Sequence, residues 1–213
     1  MRNPFKRYFV TNNFYLSLIS LGDAVLLLQE SVKELREFII DMHDEFHDGI
    51  AKRVLAEGAQ AFYLDVDWGD YPYVTSSHCG IGGVLLNGFS HKSIGLVYGV
   101  VKAYETYVGA KQFEPTNEPI FAEIRKVGQE FGATTGRPRQ CNWLNLDELT
   151  KAIDMNSPSC LIVNKVDILR EVNAWKLIHN GQVIDLHTEE KFRNYIDDTL
   201  PTYIEFSDNP NDI

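Results

Sequence analysis

Between Gly22 and about Ile50 the apolar residues Val25, Leu28, Val32, Leu35, Ile39, Met42 and Phe46 recur at steps of three and four, the period of an amphipathic helix. A long first helix is expected there. The short apolar run KRVLAEG, residues 52–58, ends in glycine and reads as a buried strand entering a loop. From Gly58 to about Asn87 the chain is rich in aromatic, glycine and hydroxyl residues and keeps no period, the irregular structure on which sites are usually built. IGLVYGVVKAY, residues 94–104, reads as a second strand, and Ile120, Ile124 and Val127 mark a helix from about Glu118 to Phe131. NLDELTKAIDMN opens with Asn145 as a cap and Glu148 three residues on, a capping-box pattern. SCLIVNKVD reads as a fully buried strand with a polar carboxyl end, TEEKFRNYIDDTL as a short helix and TYIEF as a last strand. Alternating strands and helices predict an α/β fold with a mainly parallel central sheet flanked by helices. With no internal repeat and no low-complexity linker, residues 1–213 are expected to form a single domain.

Composition keeps that picture globular: 213 residues, 44% hydrophobic and 23% charged, suffice for one sizeable core and exclude a fibrous or disordered chain. A formal net charge of -10 repels a phosphate backbone and excludes broad nucleic-acid binding. Any anion must then be caught by a local cluster. The apolar stretch from Phe14 to Gln29 is broken by Gly22 and Asp23, is too short to span a bilayer and lacks the order of a signal peptide, so it is expected in the core, with no membrane partner. The cysteines Cys79, Cys141 and Cys160 include no Cys-x-x-Cys pair; they suggest neither a disulfide framework nor a zinc site and fit a reducing cytoplasm.

Three stretches carry candidate chemistry. Asn164, Lys165, Val166 and Asp167 end an apolar strand; a fixed Asp167 carboxylate can accept from both N1–H and the exocyclic amine of guanine, the Lys165 stem can cover the base, and the Asn164 amide can address its acceptor edge. A strand that simply ends in a solvated turn fits the same letters. FGATTGRPRQ, residues 131–140, sets Arg137 and Arg139 around a stiffening Pro138, beside Thr134, Thr135 and two glycines; paired guanidinium bonds, hydroxyls and glycine-spaced amides can cradle a small anion. A solvated polar loop is the alternative. In residues 57–83, Glu57 and Gln60 are expected to follow a strand, where ligand-facing groups collect, and Asp65 and Asp67 either share a face toward a metal or shape a turn beside Gly69. HDEFH, His43 to His47, places two histidines on one helical face but has Asp44 where a zinc-protease helix needs glutamate; an exposed polar face is the other reading. No G-x-x-x-x-G-K-[ST] loop and no Gly-x-Ser-x-Gly occurs, so a base reader stands without a phosphate cradle.

From about residue 50 onward, EGAQAFYLDVDWGDYPYVTSS, GVVKAYETYVGA, EFGATTGRPRQCNWL and NKVD stand in the order and nearly the spacing of adenylosuccinate synthetase. The chain resembles the C-terminal part of that family, and its phrasing also resembles the compact phage branch that takes deoxyguanylate in place of inosinate. The resemblance implies a P-loop-NTPase-like fold lacking its N-terminal P-loop part. It implies a Mg2+-dependent ligase of purine nucleotide biosynthesis, in which the γ-phosphate of GTP (or ATP) activates the 6-oxygen of IMP or dGMP and L-aspartate displaces it. By resemblance Gln60, Thr75 and Arg137 contact the substrate nucleotide, with Gln60 beside the activated oxygen. Ala133, Thr134, Thr135, Gly136, Arg137 and Arg139 form the aspartate loop. Arg139, Lys165, Val166 and Asp167 hold GTP, joined by Ser207 and Asn209 of FSDNPND, where Asn209 stands for the family's glycine. The family's Gly-Asp-Glu-Gly-Lys-Gly loop, its catalytic aspartate and its catalytic histidine have no counterpart among these motifs, and no metal ligand is assigned. An N-terminal complementing chain is therefore expected, alongside the family's homodimer, in the cytoplasm or, for a viral chain, the host cytoplasm. The alternative is a catalytically inactive guanine-nucleotide-binding or assembly module.

Overall fold

A computed structural model describes residues 20–36, 41 and 53–208. The chain divides into two compact units, Met1–Lys52 and Arg53–Ile213. In the first, helix α1 (Leu21–Leu35) is capped by Ser20, whose Oγ accepts from Asp23 N at 3.1 Å. Its apolar positions Leu21, Leu28 and Leu35 are exposed. Asp41, within the expected first helix, is not helical; the other residues of that expectation beyond Arg36, and the His43–His47 pair, lie outside the described residues.

In the second unit the expected strand at 52–58 is absent: residues 53–59 have no regular structure. The reason is physical. Leu55 is 91% exposed and Val54 53%, and among the described residues no strand runs beside them to share a hydrogen-bond ladder. The 94–104 run forms two strands rather than one. Strand β1 (Tyr98–Lys102) ends at buried Ala103, whose N–H donates to Asn164 O at 2.8 Å, and β2 (Tyr104–Tyr107) continues into a different sheet.

One sheet is wholly parallel, in the order β1, β4 (Cys160–Asn164), β7 (Ile204–Phe206). Lys102 lies opposite Asn164 and Val163 opposite Phe206, so the carboxyl ends of all three strands meet at one edge. The other sheet is mixed, in the order β2, β3 (Gln140–Asn145), β5 (Lys176–His179), β6 (Gln182–Asp185). Its β5–β6 hairpin turns through Asn180 and Gly181, both at positive φ, and the two N–H groups donate to the Asp147 carboxylate at 2.9 Å each. The helices are α2 (Gly82–Leu86), α3 (Ile120–Val127), α4 (Leu146–Asn156), α5 (Val166–Val172) and α6 (Glu189–Thr199).

A continuous core joins Leu161 and Val163 of the parallel sheet to Trp143, Leu144 and Leu177 of the mixed one, with Phe121 and Ile124 from α3 and Phe192 and Ile196 from α6. The Phe121 ring lies 4.8 Å from Trp143, whose indole N–H donates to Glu118 at 2.9 Å, so the one polar atom of the largest buried side chain is satisfied. Full burial of each such side chain contributes about 1.5–3 kcal/mol.

The start of α4 departs from a capping box. Asn145 caps as expected, Oδ1 accepting from Asp147 N and Glu148 N, but its own N–H donates to Glu105 of β2 at 3.3 Å rather than to Glu148. Burial pushes the Glu105 carboxyl up to about 7; the Glu148 charge adds to this, while the Asn145 N–H opposes it. A folded pKa raised above the ordinary carboxylate value favours the neutral form, so its contribution is complete below the unfolded pKa and is lost as pH rises through about 7. Urea titrations from pH 4.5 to 8 should show wild-type stability declining across that window and Glu105→Gln flattening the decline. Asn145→Ala should lower stability by about 1 kcal/mol with an unchanged urea slope.

Candidate functional site

The loop at 131–140 is a closed hairpin. Phe131 bridges Pro138, Gly132 N donates to Arg137 O at 2.8 Å, and Gly136 N donates to Gly132 O at 2.8 Å. The chain reverses through Ala133, Thr134 and Thr135 and leaves through Gly136 at φ 65°, which glycine adopts without strain. Residues 133–138 are all exposed. The two arginines hold different partners: Arg137 Nη2 donates to Gly109 O at 3.4 Å, whereas Arg139 Nη1 donates to Glu130 Oε2 at 3.3 Å. Gln140 fastens the loop's exit, its Nε2 on Lys111 O and its Oε1 accepting from Phe113 N, both at 2.8 Å. Arg139 also borders an open groove of about 590 Å³ with Glu114, Thr116, Arg125, Pro138 and Gln140.

Glu130, directly before the loop, is 3% exposed. Its carboxylate accepts from Lys102 Nζ at 2.8 and 2.9 Å and from Tyr104 OH at 2.7 Å, besides Arg139. Burial pushes this carboxyl up, yet the bonds from Lys102 and Tyr104 and the charges of Lys102 and Arg139 hold it below the usual carboxylate range. Burial lowers the Lys102 ammonium, the charges of Arg139 and Lys165 lower it further, and Glu130 opposes the shift. Two cations, Lys102 and Arg139, therefore converge on one buried anion at the carboxyl edge of the parallel sheet. Neither Glu130, Lys102 nor Tyr104 stood among the expected site residues; the signals were a glutamate abutting the loop and a lysine closing an apolar strand.

That edge also carries the Asn164–Asp167 stretch. Lys165 adopts φ 64°, ψ 23° and caps α5, which turns Asp167 into the helix's first turn and buries Val166. Beside it, Ser207 is buried and its N–H donates to Val163 O at 3.0 Å. Asp208 is held by Arg193 Nη2 at 2.5 Å and Arg170 Nη2 at 3.1 Å, and Arg193 also covers the Phe206 ring at 4.7 Å. Parallel pairing of β4 with β7 thus brings Lys165, Val166, Asp167 and Ser207 together; Asn209 lies outside the described residues. Two buried side-chain atoms among the described residues have no hydrogen-bond partner, Arg139 Nε and Asn164 Oδ1. They belong to the two stretches singled out from the sequence.

Gln60 and Thr75 meet elsewhere. Ser77 Oγ lies 2.9 Å from Gln60 Oε1 and 3.4 Å from Thr75 Oγ1, and Gln60 takes φ 65° in an irregular segment instead of following a strand. The underlying fold is organised by Asp65, 2% exposed, whose Oδ1 accepts from Asp67 N and Trp68 N and whose Oδ2 accepts from Cys79 N at 2.6 Å. Only glycine fits at 69, since a Cβ would come within 2.4 Å of Asp65 O. Tyr63 OH and Ile81 N tie this segment to α4, through Glu148 O and Asn156 Oδ1 at 2.8 Å each. Asp65, Asp67 and His78 form the one three-donor cluster of metal-ligand type among the described residues. Backbone N–H groups already occupy both Asp65 oxygens, so the cluster does not fit the Mg2+ that the resemblance implies, and no step is derived through that ion.

Known proteins resemble this chain in sequence and in fold. The sequence model of the family described as adenylosuccinate synthetase matches residues 4–207. Adenylosuccinate synthetase of Yarrowia lipolytica is 43% identical over 201 residues, covering 84% of this chain and 46% of that protein. Its counterpart in Lodderomyces elongisporus is 46% identical over 163 residues, 74% of this chain and 37% of that one. The chain thus spans less than half the length of these curated relatives. The fully ligated adenylosuccinate synthetase of Plasmodium falciparum superposes with a TM-score of 0.75 at 28% identity, over 91% of this chain and 57% of that one. The succinoaminodeoxyadenylate synthetase of cyanophage S-2L, solved with dGMP and with dATP as an energy donor, shares the fold with a TM-score of 0.53 at 18% identity over 78% of this chain.

Lys165→Gly tests the strand end apart from any function. A non-glycine residue in the left-handed region costs about 1–2 kcal/mol, of which glycine's greater unfolded freedom returns roughly 0.5–1. The variant should gain about 0.5–1 kcal/mol in denaturant unfolding.

Proposed function

The chain belongs to the adenylosuccinate synthetase family, and from that premise we propose that it is the amino-acid-binding and base-reading part of a purine nucleotide:aspartate ligase. The reaction joins L-aspartate to C6 of a 6-oxopurine nucleotide, IMP or dGMP, after the γ-phosphate of GTP (or ATP) has activated the 6-oxygen. In this reading Ala133, Thr134, Thr135, Gly136, Arg137 and Arg139 grip the aspartate, and Arg137 also reaches the nucleotide. Gln60 and Thr75 face that nucleotide, with Gln60 beside the reacting oxygen. Lys165, Val166 and Asp167, with Ser207 and Asn209, read the guanine of the energy donor, and Arg139 also reaches that nucleotide. The acid, the base and the phosphate cradle come from an N-terminal portion of the fold in another polypeptide segment or chain. Mg2+ enters with that portion.

The supporting observation is the pair of unsatisfied buried atoms, Arg139 Nε and Asn164 Oδ1. Buried polar groups in folded proteins nearly always find partners, and an orphan costs about 1–3 kcal/mol. Here one orphan donor and one orphan acceptor sit in the arginine loop and at the base-reading strand end. Both lie in the stretches that this reading assigns to ligands.

Two measurements check the reading. GTP should raise the melting temperature of the chain, an effect worth about 2.7 kcal/mol at a hundredfold excess over Kd, and Asp167→Ala should abolish it. Mixed with the N-terminal half of a close relative, the chain should release phosphate from GTP only when L-aspartate and IMP or dGMP are all present. Binding of GTP without any such release would favour the inactive nucleotide-binding module instead.

A further inference from the structure

Glu130 has no part in the reading above, yet it is the most heavily bonded carboxylate at the sheet edge. Its four hydrogen bonds are unequal. Lys102 and Tyr104 make three of them at 2.7–2.9 Å, and Arg139 makes the fourth at 3.3 Å. Lys102 alone balances the carboxylate charge, so Glu130 remains neutralised and bonded without Arg139. The reverse does not hold. Glu130 is the carboxylate that pairs with Arg139 among the described residues, and the arginine's Nε has no acceptor. The main chain repeats the link, Arg139 N donating to Glu130 O at 3.0 Å across the base of the loop.

We propose that Glu130 is a positioning residue: it holds the Arg139 guanidinium at the base of the arginine loop and releases it to an incoming oxyanion, while Lys102 and Tyr104 keep the carboxylate in place. The inference rests on the reading of Arg139 as a ligand-binding residue. The oxyanion is a carboxylate or a phosphate. Such a holder lowers the entropy lost on binding, because the side chain is ordered beforehand.

The test is 15N NMR of the arginine Nε–H signals of the full chain, with Arg139 identified by the signal lost in Arg139→Lys. Without any added probe, Glu130→Gln should speed rotation of the Arg139 guanidinium about tenfold. Tyr104→Phe, which removes a bond to the same carboxylate but keeps its charge, should leave that rotation unchanged. Glu130→Asp, which keeps the charge and shortens the reach, should also free the arginine and serves if the glutamine variant does not fold. Equal loosening in Tyr104→Phe and Glu130→Gln would make Glu130 merely structural; no loosening in either Glu130 variant would overturn the holding role. L-aspartate and inorganic phosphate, titrated separately, identify the oxyanion by which one shifts the Arg139 signal. The effective probe should bind Glu130→Gln about two- to tenfold more weakly. If neither probe shifts the wild-type signal, the release step and the binding reading of the loop both fall, while the probe-free comparison still decides the holding role.

Discussion

A carboxylate taken out of water must be repaid in charge and hydrogen bonds, and meeting that demand at Glu130 shapes the carboxyl edge of the parallel sheet. The residue follows α3, its hydroxyl partner Tyr104 opens the mixed sheet, and its cation Lys102 closes the parallel one. One buried charge thus ties together the helix that precedes the arginine loop and the point where the chain crosses between sheets. Any shift of β1 along β4 would pull Lys102 from the carboxylate, so the register opposite Asn164 and the electrostatics of the edge are set together.

Around that anchor the backbone is bent against its preferences. Lys165 and Gln60 sit at φ near +65° without being glycine, and both belong to the candidate ligand set. Strain of this kind persists where the surroundings over-determine the conformation. At Lys165 the determinants are a buried Val166 and the Ala103 N–H fixed on Asn164 O. At Gln60 they are fewer, which fits a side chain that accepts from the equally polar Ser77 hydroxyl.

Much of the second unit was legible in the sequence because its elements carry their own signals. Asn145 announces α4, the apolar run before Asn164 announces β4, and FGATTGRPRQ and NKVD mark the two stretches that the structure places at one edge. The run at 52–58 misled because apolar content makes a strand only beside a partner strand, and burial is a tertiary property. The single strand expected at 94–104 became two because Ala103 is where the chain leaves one sheet for the other, which no local pattern records. The hairpin at Asn180-Gly181 carries its signal in the turn dipeptide, outside the elements expected above. Glu130 and Lys102 each carry a local signal, but their pairing was illegible: 28 residues separate them, and only folding shows that they answer each other.

The exposed apolar positions have a consequence for the protein as a particle in solution. Leu21, Leu28, Val32 and Leu35 on α1, and Tyr98 and Val100 on the outer strand of the parallel sheet, face water together with Tyr203. An outer strand with exposed apolar side chains offers unpaired backbone for association, and short-range attraction between such surfaces is opposed here by a net charge of -10. That repulsion reaches about 8 Å at physiological ionic strength and about 3 Å in molar salt. The colloidal behaviour of the chain therefore depends on charge held over its whole surface: added salt, or acid that neutralises the carboxylates, lowers the barrier between copies that present these apolar side chains.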